Sequence, residues 1–345
     1  MTNITTVGSI VLKLLKLVLN LIILILYRTG YSGQFLGVGG TWNLNEEKNP
    51  DTEIIASGVF VGFFIYTVVS LVSYCFATAD HKNTFTDIVM NFLGIFLWLA
   101  VGATALHYWE GYQGEHKYTH VSSERQVGLA LGALCVISGV AYLLDTVLSV
   151  LHFLHVKKKQ VKVAISESYY DVPKKIMSAD IENNKEEEEK QDNEEVQKTQ
   201  KWKILSKWPI GFKLLELALA AICLGLIFDP VHIVGMGNTQ LHHVGIMYTS
   251  YTGCMVIILG FIIGRCLKEK LGYKTSFIFS CANAALFLTT GVLLTADRSE
   301  LTKDHFFHPS RYLLNMMTAS IVLTFVNSGV FVADAIMTFV KQQDF

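Results

Sequence analysis

The sequence predicts an all-α membrane protein: two parallel four-transmembrane-helix bundles, eight spans in all, joined by a disordered charged cytosolic linker. Three observations predict it. Eight apolar runs lie at about 8–27, 54–77, 85–108, 127–151, 210–228, 244–264, 276–296 and 313–340. At about 1.5 Å per residue each can cross a hydrocarbon core of about 30 Å. Charge is concentrated: of 28 basic and 29 acidic residues, 12 Lys and 11 Asp or Glu fall between Lys157 and Lys207. Finally, the two halves repeat one another in order. The units expected are 1–156, a first four-helix membrane unit; 157–207, the linker; and 208–345, a second, divergent unit.

Each run must be a helix, because inside lipid every backbone polar group needs an internal partner. No basic region or clear cleavage site accompanies the first run, so it reads as a retained span. Orientation follows from Lys and Arg. Lys157, Lys158 and Lys159 follow the fourth run, Arg265, Lys268, Lys270 and Lys274 join the sixth to the seventh, Lys82 lies between the second and third, and Lys341 follows the eighth. The positive-inside rule then puts both termini and the linker in the cytosol, with loops 28–53, 109–126, 229–243 and 297–312 outside. The linker, with "NNKEEEEKQDNEE", is too charged and too poor in apolar residues to build a core.

The repeat is read from matched segments. "KLLKL" at 13–17 matches "KLLEL" at 213–217, and "GVGGT" at 37–41 matches "GMGNT" at 235–239. Tyr66-Thr67 matches Tyr251-Thr252, and "YLLDT" around Asp145 matches "FVADA" around Asp334. Four helices per unit is an even number, so the units run parallel rather than inverted. Gly40 pairs with Asn238, the two residue types that best tolerate positive φ. A tight outer turn is expected there. The run "FLGVGGTWNLNEEK" is glycine-rich, but no strand-to-helix unit surrounds it, so a phosphate cradle has no context.

Charges inside the spans need partners, since a lone Asp at mid-helix costs about 2.5–3.5 kcal/mol. Asp145 and Asp334 each lie about five residues inside a cytosolic helix end, at the depth of Lys13, Lys16 and Lys213. Intramembrane ion pairs are expected between Asp145 and Lys13 or Lys16, and between Asp334 and Lys213, with Glu216 in the place of Lys16 also reaching Lys213. Gly58 and Gly62, Gly128 and Gly132, and Gly260 and Gly264 have the spacing of close helix contact, expected first within each bundle. Trp42, Tyr108, Trp109, Tyr112 and Trp208 stand near helix ends, where amphipathic rings favour the membrane interface.

Several classes are disfavoured. Net charge is −1, which gives nucleic acid no basic face. The six cysteines lie in or beside apolar runs with no CxxC pair, so neither a disulfide framework nor a zinc site is expected. His116 with His120, His305 with His308, and His242-His243 have helical or adjacent spacing but no carboxylate-supported third ligand. HExxH, GxSxG and GxxxxGK[ST] do not occur. No cofactor, no metal and no enzyme activity are expected.

The first half resembles the snakeskin family of insect smooth septate junctions, four-span membrane proteins. The resemblance rests on "GSIVLKLLKLVLNLIILILYRTG", "FLGVGGTWNLNEEK", "ALHYWEGY" and "SERQVGLALGALCVISGVAYLLDT", from about Val7 to His155. The second half has no "TWNLN" or "SERQVG". The resemblance implies a structural junction component at the lateral plasma membrane of arthropod gut-type epithelia, sealing the paracellular route with the single-pass protein Mesh and a tetraspanin. Gly37, Gly39, Gly40, Thr41, Trp42, Asn43 and Asn45 are the candidate outer-loop contacts. The rival readings are a small-solute transporter or channel, which should show broken helices and convergent polar groups at the midplane, and a four-span vesicle-trafficking scaffold.

Overall fold

The computed structural model describes residues 2–31, 33, 35–38, 50–76, 85–111, 119–171, 208–233, 241–267, 271–303 and 310–342. These form helices α1 (Thr2–Thr29), α2 (Pro50–Phe76), α3 (Phe85–Gly111), α4 (Thr119–Asp171), α5 (Trp208–Ile233), α6 (Leu241–Cys266), α7 (Tyr273–Lys303) and α8 (Arg311–Lys341). Each contains a span of 23 to 32 residues long and apolar enough to cross a bilayer.

The burial pattern inverts that of a water-soluble bundle. On α1 the side chains of Lys13, Lys16 and Asn20 are buried, whereas Val11, Leu14, Leu15, Val18 and Ile22 are exposed. On α8 Asp334 and Asn327 are buried, while Val322, Val326 and Val332 face outward. Only a lipid environment makes that arrangement favourable, because hydrocarbon rewards an apolar exterior and penalises a polar one. The protein is a multi-pass membrane protein in contact with the bilayer.

Two four-helix bundles result. In the first, α4 packs along α3 and α1, and α2 closes against α1 and α3; in the second, α8 packs along α7 and α5, and α6 closes against α5 and α7. Their starts and ends are set by local chemistry. Gly30 leaves α1 with φ 51 and donates its N–H to the Leu26 carbonyl at 2.9 Å, the left-handed stop that glycine favours. Pro209 enters the first turn of α5, where a missing N–H costs nothing. Ser310 caps α8 by accepting from the Leu313 N–H at 3.3 Å.

The bundles meet chiefly through α2 and α6, with α3 against α6 and α2 against α7 at the flanks. Glycine makes the approach possible. A Cβ on Gly62 would stand 3.1 Å from the Gly253 carbonyl oxygen, and one on Gly58 would collide with the Thr252 side chain. Gly260 and Gly264 likewise leave room for Met90 and Thr86 of α3. Of the three glycine pairs, therefore, only Gly128 and Gly132 pack within a bundle, against Trp109 and Leu106; the other two lie in the seam between bundles. Small residues specify a close approach but not which helix approaches.

Helix α4 departs from the expected boundary. It continues through the basic residues at 157–159 to Asp171, so the first part of the expected linker is helical. Lys, Gln and Ala in this stretch are good helix formers and simply extend the turn already nucleated in the span. Helix ends accordingly do not measure the depth of Asp145. Residues 172–207 lie outside the described residues.

Candidate functional site

Three buried polar constellations stand out, one around Lys13 and Lys16 in the first bundle, one around Lys213 in the second, and one at the far end of the first.

In the first bundle Lys13, Lys16, Asp87 and Asp145 form a balanced four-charge cluster. Lys13 Nζ donates to both Asp87 carboxylate oxygens at 2.7 Å and lies 3.6 Å from Asp145 Oδ2. Lys16 pairs with Asp145 and donates to Asn91 Oδ1 at 2.8 Å. Asn91 Nδ2 returns a bond to Asp145 Oδ2 at 3.0 Å, and Tyr66 O–H donates to Asp87 Oδ1 at 2.9 Å. The Lys16 ammonium also sits 4.2 Å from the centre of the Tyr142 ring. Helices α1, α2, α3 and α4 thus all contribute. Such a cluster is tolerable out of water because each charge has an opposite neighbour and hydrogen bonds occupy the remaining lone pairs.

In the second bundle Lys213 is the hub. Its Nζ donates to Asp334 Oδ2 at 2.7 Å, to Glu216 Oε2 at 2.9 Å and to Ser280 Oγ at 3.0 Å. Ser280 donates in turn to Asp334 Oδ2 at 2.7 Å. The register that matches Asp145 with Asp334 also matches Asn91 with Ser280 and Asp87 with Ser276. Among the sequence expectations Tyr66 figures only as the repeat match of Tyr251, and Asp87, Asn91 and Ser280 do not figure at all. The signal was present for two of them, since Asp87, Asn91, Gly94 and Trp98 recur at helical spacing and all but Asp87 are fully enclosed on one face of α3. The matched tyrosines diverge: Tyr66 serves the charge cluster, whereas Tyr251 bonds Thr324 at 2.7 Å.

At the far end of the first bundle, buried Glu53 anchors the approach to the outer loop. One carboxylate oxygen accepts from Tyr27 O–H at 2.7 Å and the other from the Val38 N–H at 2.6 Å. Ser57 shares a hydrogen bond with Tyr27 at 2.9 Å, and the Leu36 N–H donates to the Tyr27 carbonyl at 3.1 Å. Phe35, Leu36 and Val38 are buried, Phe35 meets Tyr27 edge-on at 4.7 Å, and Gly37 turns the chain with φ 76. Of the candidate loop contacts, Gly37 is in this anchored segment; Gly39, Gly40, Thr41, Trp42, Asn43 and Asn45 lie outside the described residues, as does Asn238.

The "SERQVG" segment has a structural account. Arg125 Nε donates to the Trp109 carbonyl at 3.0 Å and its guanidinium also reaches the Glu110 carbonyl at 3.3 Å, satisfying the end of α3. Glu124 accepts the Tyr31 N–H at 3.2 Å. Gly128 lies flat against the Trp109 ring, leaving no space for a Cβ. Trp109 is fully buried rather than an interfacial anchor. In the second bundle the far end instead carries His243 Nδ1 against Asp297 Oδ1 at 2.6 Å.

The comparisons with known proteins accord with this architecture. Residues 6–148 match the family model of MARVEL, a membrane-associating domain. Protein snakeskin of Bombyx mori is 66% identical over 153 residues, which cover 44% of this chain and 98% of that protein. Protein snakeskin of Drosophila melanogaster is 56% identical over 153 residues, covering 44% of this chain and 94% of that protein. No solved structure matches. With nearly the full length of these relatives matched and a second four-helix bundle besides, the chain belongs to the snakeskin family.

Proposed function

We propose that this protein is a structural component of smooth septate junctions and contributes to the paracellular barrier of arthropod gut-type epithelia. Family membership carries the reading: the chain matches 98% of the length of a snakeskin protein at 66% identity. The geometry supports a fixed body over a gated one. The eight helices are unbroken over their described lengths, with Pro230 close to the end of α5. A transporter would place broken helices around a midplane site; here the charged clusters are internally paired and gathered at one end of each bundle. Both termini and the linker are taken as cytosolic, the lateral plasma membrane as the location, and a Mesh-like single-pass protein and a tetraspanin as partners. The loop beginning at Gly37 is the proposed meeting point, held in place by Glu53 and Tyr27.

Depletion in gut epithelium tests this. The expected result is leakage of a luminal fluorescent dextran, with the protein itself stained along lateral membranes. An intact barrier with a normal junction ladder would overturn the proposal, and staining confined to vesicles would favour a trafficking scaffold.

A further inference from the structure

The seam between the bundles is built from equivalent parts. Helix α2 crosses α6, each the second helix of its unit, and α3 flanks α6 while α7 flanks α2. Ring contacts set the register. Phe63 of α2 lies 6.4 Å from Trp98 and 5.1 Å from Tyr142. Tyr251 of α6 lies 5.6 Å from Phe287, which in turn meets Phe331 at 5.3 Å. Trp98 matches Phe287 and Tyr142 matches Phe331 in the register of Asp145 with Asp334. In space, therefore, Tyr251 takes the place of Phe63 rather than that of Tyr66.

Across the seam the contacts are reciprocal. Thr86 of α3 and Thr275 of α7 hold the same position in their units. Thr275 shares a hydrogen bond with Ser73 of α2 at 2.9 Å, and Thr86 lies against Gly264 of α6 with no room for a Cβ. One turn on, Met90 and Phe279 are again equivalent. Phe279 stacks on Tyr66 of α2 at 5.9 Å, and Met90 fills the space left by Gly260 of α6. At the centre Gly62 meets Gly253, which stands where Ile65 does in the first unit. The crossing point thus differs by three residues, about 4.5 Å, between the two helices. An interface in which i meets j and j meets i is isologous, with a twofold axis. Because the units run parallel, that axis follows the membrane normal.

We infer that the α2–α3 face of the first unit is a self-association surface whose partner is a second copy of that unit, and that in this chain the second bundle fills the place of such a copy. The first unit carries both sides of the seam. Gly58 and Gly62 stand four apart on α2, the spacing of closely paired membrane helices. Ser73 and Tyr66 project from α2, and Thr86 and Met90 of α3 are the positions that receive their equivalents. Close packing rather than hydrophobicity holds helices together in lipid, and this face is shaped for it. The relatives have the length of one unit: 153 residues of this chain cover 98% and 94% of them. The pairing is independent of the junction role.

The test compares residues 1–171, one unit as in the relatives, with the full chain. Labelled chains are diluted in liposomes and counted by stepwise photobleaching. Pairs are expected for the one-unit chain and single copies for the full chain. With Cys75→Ala and Cys135→Ala as background, Ser73→Cys together with Thr86→Cys should link two one-unit chains into a species of doubled mass on oxidation. Phe96→Cys, on the outward side of α3, should not. Gly62→Leu should weaken pairing by about tenfold or more. Should residues 1–171 not fold, protein snakeskin of Bombyx mori is counted in their place. One-unit chains that stay single at every dilution would overturn the inference. So would linkage through Phe96→Cys, or a full chain that pairs as readily as the one-unit chain.

Discussion

Gly62 and Gly253 touch backbone to backbone across the seam of the two bundles: a Cβ on Gly62 would lie 3.2 Å from the Gly253 Cα. This contact, flanked by Ser73 against Thr275 at 2.9 Å and Tyr66 stacked on Phe279 at 5.9 Å, makes the halves one body. Arg28 of α1 adds a tie to α6, bonding Thr249 at 3.3 Å and lying over Gly245.

Gly62→Leu should therefore separate the bundles without unfolding either. Overpacking of this kind costs about 1–3 kcal/mol, and here backbone rather than a movable side chain stands in the way. A Ser73→Cys, Thr275→Cys pair is expected to cross-link readily in the parent and poorly with Gly62→Leu. After proteolysis within 172–207, the two halves of the parent should still copurify, and those of the variant should part. Equal copurification would show that the seam does not depend on this glycine.

Asp145 compensates two ammonium groups, so Asp145→Asn should destabilise the first bundle more than any neutral change nearby. Removing one member of a buried pair costs about 3–5 kcal/mol. Exchanging Lys16 for Met together with Asp145 for Leu should cost less than the two single changes added, because neither charge is then stranded. Thermal unfolding in nanodiscs would read both, and strict additivity would mean that the two residues are not coupled.

Glu53→Gln is expected to loosen the start of the outer loop while sparing the charge clusters at the other end. The carboxylate holds Val38 and Tyr27 by bonds of 2.6 and 2.7 Å, and hydrogen bonds to a charged group contribute about 1.5–3 kcal/mol each. Faster hydrogen exchange at the Val38 amide, with unchanged exchange around Asn91, is the expected pattern. Uniform acceleration would instead indicate global destabilisation.

How much of this was legible in the sequence differs by residue. The eight spans were plain because lipid leaves the backbone no alternative to the helix. Lys13, Lys16 and Asp145 could be singled out because a charge within an apolar run has no neutral explanation. Glu53 was not, because it lies near the edge of a run, where an acid also marks an ordinary helix start; Asp87 has the same ambiguity by itself and stands out only through its helical spacing with Asn91. The glycine pairs announced close contact, but the choice between α3 with α4 and α2 with α6 is a matter of three-dimensional fit. At 157–171 charge predicts disorder, whereas helix propensity with a span already formed upstream prevails.

The seam within the first bundle gives the last prediction. Gly128 faces the Trp109 ring so closely that any side chain must displace it, and Gly132 would place a Cβ 2.8 Å from Leu106 Cγ. Trp109 cannot swing freely, since its helix end is bound by Arg125. Gly128→Leu should push the indole out of its enclosed site, at a cost of about 1–3 kcal/mol. With the other tryptophans replaced by Phe, the emission of Trp109 is expected to shift to longer wavelength and become accessible to a soluble quencher. Gly128→Ala should produce a smaller shift in the same direction, because one methyl group demands less of the ring. If neither substitution moves the emission, the α3–α4 contact does not rest on this glycine, and Arg125 would be left as the feature of "SERQVG" that holds the two helices in register.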